Sequence, residues 1–61
     1  MDAKRLSYKP DQAAAVLGIG RSKVYELMQS GELESFKIGS SRLIPHAALE
    51  RLIARKMGEA A

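Results

Sequence analysis

The stretch GIGRSKVYELMQSG, residues Gly18–Gly31, decides the reading of this chain. Two glycines bracket an isoleucine, a segment opens on Arg21-Ser22-Lys23, and a third glycine closes it. Val24, Leu27, Met28 and Gly31 follow the i, i+3, i+4, i+7 spacing of one buried helical stripe. The spacing predicts a helix from about Arg21 to Ser30, with Gly20 a tolerable N-cap. Gly31 is the stop, because helices often end on a left-handed residue and glycine adopts that conformation without a steric penalty.

Reading backward, KPDQAAAVLG (Lys9–Gly18) predicts a preceding helix. Pro10 suits the first helical position, where its missing N–H is not needed. Asp11 favours the positive end of the helix dipole. Ala13 to Leu17 form an apolar run rich in the best helix former. Lys9 is a poor N-cap; with Lys9 in that role, Tyr8 and Ala13 take the positions of a hydrophobic staple. Gly18 ends the helix with φ > 0. Only Gly18-Ile19-Gly20 then separates the two helices, which forces helix-turn-helix geometry. Ile19, the turn's only large apolar residue, is expected to point inward and pin the helices together.

Reading forward, ESFKIGSSRLIP (Glu34–Pro45) predicts a β-hairpin. Phe36 and Ile38 alternate with Ser35 and Lys37 as in a half-buried strand. Gly39-Ser40-Ser41 is turn chemistry. Leu43 and Ile44 continue a second strand, which Pro45 ends while opening the next helix. A lone hairpin is marginal in water, so this one must pack on the helices. HAALERLIARKM (His46 to about Met57) predicts the last helix, with Leu49, Leu52, Ile53 and Met57 as its apolar stripe. Residues 58–61 are expected to fray. The result is one domain over residues 1–61 with a core from about 8 to 57, mainly α with a small β-hairpin, in the order α-α-β-β-α.

Bulk properties bound the function. A chain of 61 residues buries only about 60% of its unfolded surface, too little to wall a deep substrate cavity. Its 46% hydrophobic and 28% charged residues fit an ordinary globular domain rather than a disordered one. The absence of cysteine excludes disulfides and thiolate metal sites. No apolar run approaches the roughly 20 residues of a membrane span, and MDAKRLSYKP has no apolar core of a signal peptide. A reducing intracellular location is expected. The net charge of +3 suits a polyanionic partner.

Catalysis is not expected. His46 is the single histidine, and at a helix start it reads as a solvated side chain. No second histidine completes a metal set, and Asp11, Glu26, Glu32 and Glu34 pair with no nucleophile. The Gly-x-Gly at 18–20 lacks the remaining glycines and the preceding strand of a phosphate-binding loop. No cofactor and no metal is expected.

Nucleic acid is the better partner. With Val24, Leu27 and Met28 facing inward, Ser22, Glu26 and Gln29 face outward, flanked by Lys23 and Tyr25, with Arg21 leading. An α-helix fits the major groove of B-DNA and commonly enters by its N-terminal end. Arg21 and Lys23 suit guanine O6/N7 or phosphate, and Gln29 suits adenine. The Tyr25 hydroxyl suits phosphate. Glu26 either accepts from cytosine N4 or orients Arg21 or Lys23. In the hairpin, Lys37 and Arg42 flank the tip at Ser40 and Ser41, where cations suit a phosphate ridge or a narrow minor groove. The same outward face also fits an ordinary solvated helix; the short turn and the Arg-Ser-Lys start tip the balance to DNA.

The order of these parts resembles the small excisionase-type, MerR-like winged-helix DNA-binding domains. RSKVYELMQSGEL (Arg21–Leu33) is the most specific segment, with Ala13-Ala14, Leu17-Gly18, KIGSSRLIP (Lys37–Pro45) and AALERLI (Ala47–Ile53) around it. The resemblance implies a recognition helix carrying Arg21, Ser22, Lys23, Tyr25 and Glu26, and a wing carrying Lys37, Ser40, Ser41 and Arg42. Gly20 departs from the family's usual Ser or Thr cap. By the same resemblance, the function is that of a phage or mobile-element excisionase. It would bind tandem sites beside an attachment site on double-stranded DNA and bend them. A cognate tyrosine or serine integrase would then be driven toward excision, in the nucleoid of a bacterial cytoplasm. A small transcriptional regulator of the same fold, and a protein-interaction module, are the alternatives. Because one module buries little surface on DNA, adjacent copies are expected to touch. Arg51 and Arg55 of one copy would meet Glu32 or Glu34 of the next.

Overall fold

The two glycine stops act as read. Gly18 adopts φ +74° and Gly31 φ +88°, and each donates its N–H back into the last helical turn, Gly18 to Ala14 O and Gly31 to Met28 O. The computed structural model describes residues 5–60. In chain order it contains β1 (Ser7–Tyr8), α1 (Pro10–Leu17), α2 (Arg21–Ser30), β2 (Phe36–Ile38), β3 (Ser41–Pro45) and α3 (His46–Ala60). This is the expected mainly α winged helix-turn-helix, with one strand that the sequence reading omits. Residues 1–4 and Ala61 of the expected domain lie outside the described residues.

That strand, β1, turns the hairpin into a three-stranded antiparallel sheet of order β1-β3-β2. Ser7 lies opposite Pro45 and Tyr8 opposite Ile44. The His46 N–H donates to Leu6 O at 2.9 Å, and Tyr8 Oη lies 3.0 Å from His46 Nδ1. His46 Nε2 is 3.4 Å from Glu50. His46 is therefore not the free solvated side chain expected from its helix-start position. It is half-buried and ties β1 to α3. At the start of α1, Gln12 Oε1 accepts the Lys9 N–H at 3.0 Å. Only this half of a capping box forms, since the ammonium of Lys9 can donate but not accept.

The core is Tyr8, Ala13, Ala14, Val24, Leu33, Ile44, Ala48, Leu49 and Leu52, with Leu17, Leu27 and Met28 packed at its edge. Val24, Leu33 and Ile44 are the largest side chains fully removed from water, each worth about 1.5–3 kcal/mol of burial. Ala13 and Ala14 let α2 approach α1 closely, as the short turn requires.

Several expectations are corrected. Ile19 does not point inward as a pin; it is 36% exposed. Val24, held between the helices, takes that role. Phe36 and Ile38 do not form a half-buried face: all of β2 is exposed, at the sheet edge away from the core that Tyr8 of β1 and Ile44 of β3 enter. The turn is Gly39-Ser40, with Gly39 at φ +62°, and Ser41 already pairs with Ile38. Ile53 and Met57 are 45% and 69% exposed, because α3 runs on past the core that Ala48, Leu49 and Leu52 fill. α3 extends through Ala60, with a Lys56–Glu59 pair at 3.4 Å.

Candidate nucleic-acid interface

The outward face of α2 is built by the stripe on its opposite side. Burial of Val24, with Leu27 and Met28 half-buried, leaves Arg21, Ser22, Lys23, Tyr25, Glu26 and Gln29 all exposed. Its N-cap, Gly20, supplies no side-chain hydrogen bond. The first N–H groups of α2 are thus left uncapped by a side chain at an exposed helix start, where the helix dipole favours an anion.

Both cations of the first turn have acidic partners. Arg21 Nε is 2.6 Å from Asp11 of α1, and its guanidinium lies over the Tyr25 ring, 5.7 Å from the centroid. Interaction with the Tyr25 side chain, and then the charge of Asp11, raises the Arg21 pKa above its ordinary value. Lys23 Nζ is 3.3 Å from Glu26, one helical turn on. Glu26 thus pairs with Lys23, whereas the partner of Arg21 is Asp11. No periodicity or spacing signals that last pairing, because it joins two different helices.

In the wing, Lys37 of β2 lies directly opposite Arg42 of β3, and both are exposed, as are Ser40 and Ser41. Facing cations repel across a sheet, so the hairpin concentrates positive charge at a cost to itself. Arg42 Nη1 donates to Ser35 Oγ at 3.3 Å. Between α2 and the hairpin runs a notch of about 330 Å³ lined by Tyr25, Met28, Gln29, Ser35 and Arg42. Tyr25 and Gln29 of α2 and Arg42 of the hairpin therefore border one concave surface. Ser35, absent from the sequence-based set, belongs to it.

The four residues expected to bridge neighbouring copies also make contacts within the chain. Arg51 forms an ion pair with Glu34, and Arg55 Nη1 donates to Glu32 O at 3.0 Å. The Glu32 carboxylate is held by Lys56 at 2.7 Å. The hydrogen bond from Lys56 lowers the Glu32 pKa and raises that of Lys56. The loop after α2 folds back onto α3, which brings the opposite charges together within the chain.

Among the described residues, no group of three or more His, Cys, Asp or Glu side chains is placed to hold a metal ion. No helix among them is long and apolar enough to cross a membrane.

A family model described as "Helix-turn-helix domain" matches residues 7–57. The chain is 45% identical over 49 residues to a "Probable excisionase" of Saccharopolyspora erythraea, covering 80% of this chain and 50% of that protein. It is 41% identical over 49 residues to an "Excisionase" of Streptomyces ambofaciens, covering 80% of this chain and 79% of that protein. The chain thus spans about half the length of the first relative and most of the second. No solved structure gives a significant match. The family match over residues 7–57, and the likeness to an excisionase along most of that relative's length, show that this chain belongs to the excisionase-type helix-turn-helix DNA-binding domains.

Proposed function

We propose that the chain is a DNA-binding excisionase that inserts the N-terminal half of α2 into the major groove and lays the hairpin along the adjoining backbone. The observation that carries this reading is the notch: Tyr25 and Gln29 of α2 and Arg42 of the wing border one concave surface, with the cations Arg21, Lys23 and Lys37 exposed on the same two elements. In this reading Arg21 and Lys23 meet base edges or phosphate, and Ser22 and Tyr25 offer hydroxyls to the backbone. Gln29 reads a base deeper along the groove, and Lys37, Ser40, Ser41 and Arg42 hold the phosphates flanking the narrow groove. No step of bond making or breaking is assigned to the chain. It acts by binding tandem sites beside an attachment site and bending them, so that a cognate integrase excises rather than reinserts the element, in the bacterial cytoplasm.

The test has two stages. Gel-shift titration against duplex DNA at varied salt is expected to give a log–log slope of about −4 to −5, as for four to six phosphate contacts. A slope near zero removes the DNA reading and leaves a protein-interaction module. Footprinting followed by an integrase-dependent excision assay is then expected to reveal tandem protected sites and stimulated excision. A single protected site over a promoter, without any effect on excision, assigns the chain to transcriptional regulation instead.

A further inference from the structure

We propose that Asp11, on the helix before the recognition helix, is a positioning residue for Arg21 that gives the site its discrimination between base pairs. The inference rests on the DNA-binding reading above and deepens it. The ligand is a guanine edge, which presents the O6 and N7 acceptors in the major groove.

An arginine carries five N–H donors in a planar fork. Asp11 Oδ1 takes the Nε side, at 2.6 Å. The guanidinium carbon lies over the Tyr25 ring, 5.7 Å from its centroid, and Tyr25 is four residues on, on the same helical face. The guanidinium thus has two contacts, one from a neighbouring helix and one from its own. With Nε engaged by Asp11, the donors that remain for a two-acceptor base edge are the terminal Nη groups. The Arg21 and Asp11 side chains are 65% and 71% exposed. Solvated pairs of this kind add little to folding, so the fold does not call for the contact. A carboxylate beside the leading end of the helix also repels phosphate, which lowers affinity for DNA of any sequence. Asp11 therefore gives up general attraction in exchange for orientation, the repulsive half of a specificity device.

The experiment measures affinity of the wild type, Asp11→Asn, Asp11→Glu, Arg21→Ala and the double variant Asp11→Asn/Arg21→Ala. Two duplexes serve as ligands, one selected by the wild type from a random pool and one of unrelated sequence. Asp11→Asn is expected to lower the preference for the selected duplex about ten-fold. It should raise affinity for the unrelated one about two-fold, as expected for removing one nearby negative charge. Asp11→Glu should recover most of the preference. In the Arg21→Ala background, Asp11→Asn should leave the preference unchanged. The inference is overturned if Asp11→Asn shifts both duplexes equally, or if it lowers the preference as much without Arg21. Failure of the wild type to bind any duplex removes the DNA reading as well, which separates the two failures.

Discussion

Lys37 and Arg42 face each other across the hairpin. Their mutual repulsion works against the strand pairing that displays them. Replacing either with serine should raise the thermal midpoint slightly while weakening DNA binding. Each loss should make the log–log salt slope shallower by about 0.9. Scanning calorimetry and salt-varied gel shifts measure the two effects on the same samples. A lowered midpoint with an unchanged slope contradicts this role for the wing.

Arg21→Ala combined with Lys23→Ala should abolish high-affinity binding and leave the fold intact. Both side chains are more than half exposed, and neither contributes to the core. Circular dichroism should superpose on the wild type while the gel shift disappears.

Ile44 is fully buried on β3, the middle strand of the sheet, and paired with Tyr8 on β1. Ile44→Val should cost about 0.5–1.5 kcal/mol, and Ile44→Ala about 2–5 kcal/mol. A single core in so small a domain supplies only about 3–5 kcal/mol. Urea titration should therefore find the valine variant folded with a lower midpoint and the alanine variant largely unfolded.

Gly31 holds φ +88° with no atom within 4 Å of an added Cβ. Gly31→Ala therefore meets only the intrinsic penalty of the left-handed conformation, about 1–2 kcal/mol. Because this stop sets where the loop turns back toward α3, the loss should appear as a lower urea midpoint with the slope unchanged.

The Glu32–Lys56 pair makes stability depend on acid. The Lys56 ammonium, hydrogen-bonded to Glu32, holds its carboxyl below the usual carboxylate range. The unfolded chain then binds more protons than the native one between the two titrations, so stability rises with pH across that window. The contribution is complete above the ordinary glutamate value near about 4.3 and is lost as pH falls through the lower native value. Urea midpoints at successive pH values should decline on the acid side, and Glu32→Gln should flatten that part of the decline.

Local signals carried much of the fold. Gly18, Gly31 and the Val24 stripe act within a few residues, so helix ends and the inward face of α2 are legible from the sequence. The hairpin is legible for the same reason. What was missed is carried by distance. Ser7 and Tyr8 are too few to display a period, and they form a strand only because β3 offers an open edge. Leu33 stands alone in a polar loop, yet it is buried because Gly31 turns the chain under the core. Ile53 and Met57 share the periodicity of Leu49 and Leu52, which reveals a stripe but not how far the core extends to meet it. At the candidate interface, exposure of the α2 residues follows from the wheel, whereas the partners of Arg21, Glu32 and Glu34 lie on other elements. Charge placement shows Arg51, Arg55, Glu32 and Glu34 as available for pairing but not the contacts they make within the chain.

The hydrogen bond between Tyr8 and His46 joins residues 38 apart in the chain, and the core beneath α2 draws on β3 and α3 through Ile44, Leu49 and Leu52. A ribosome releasing this polypeptide N-terminus first thus exposes the recognition segment well before its scaffold exists. Competence to engage DNA should emerge abruptly, once α3 clears the exit tunnel.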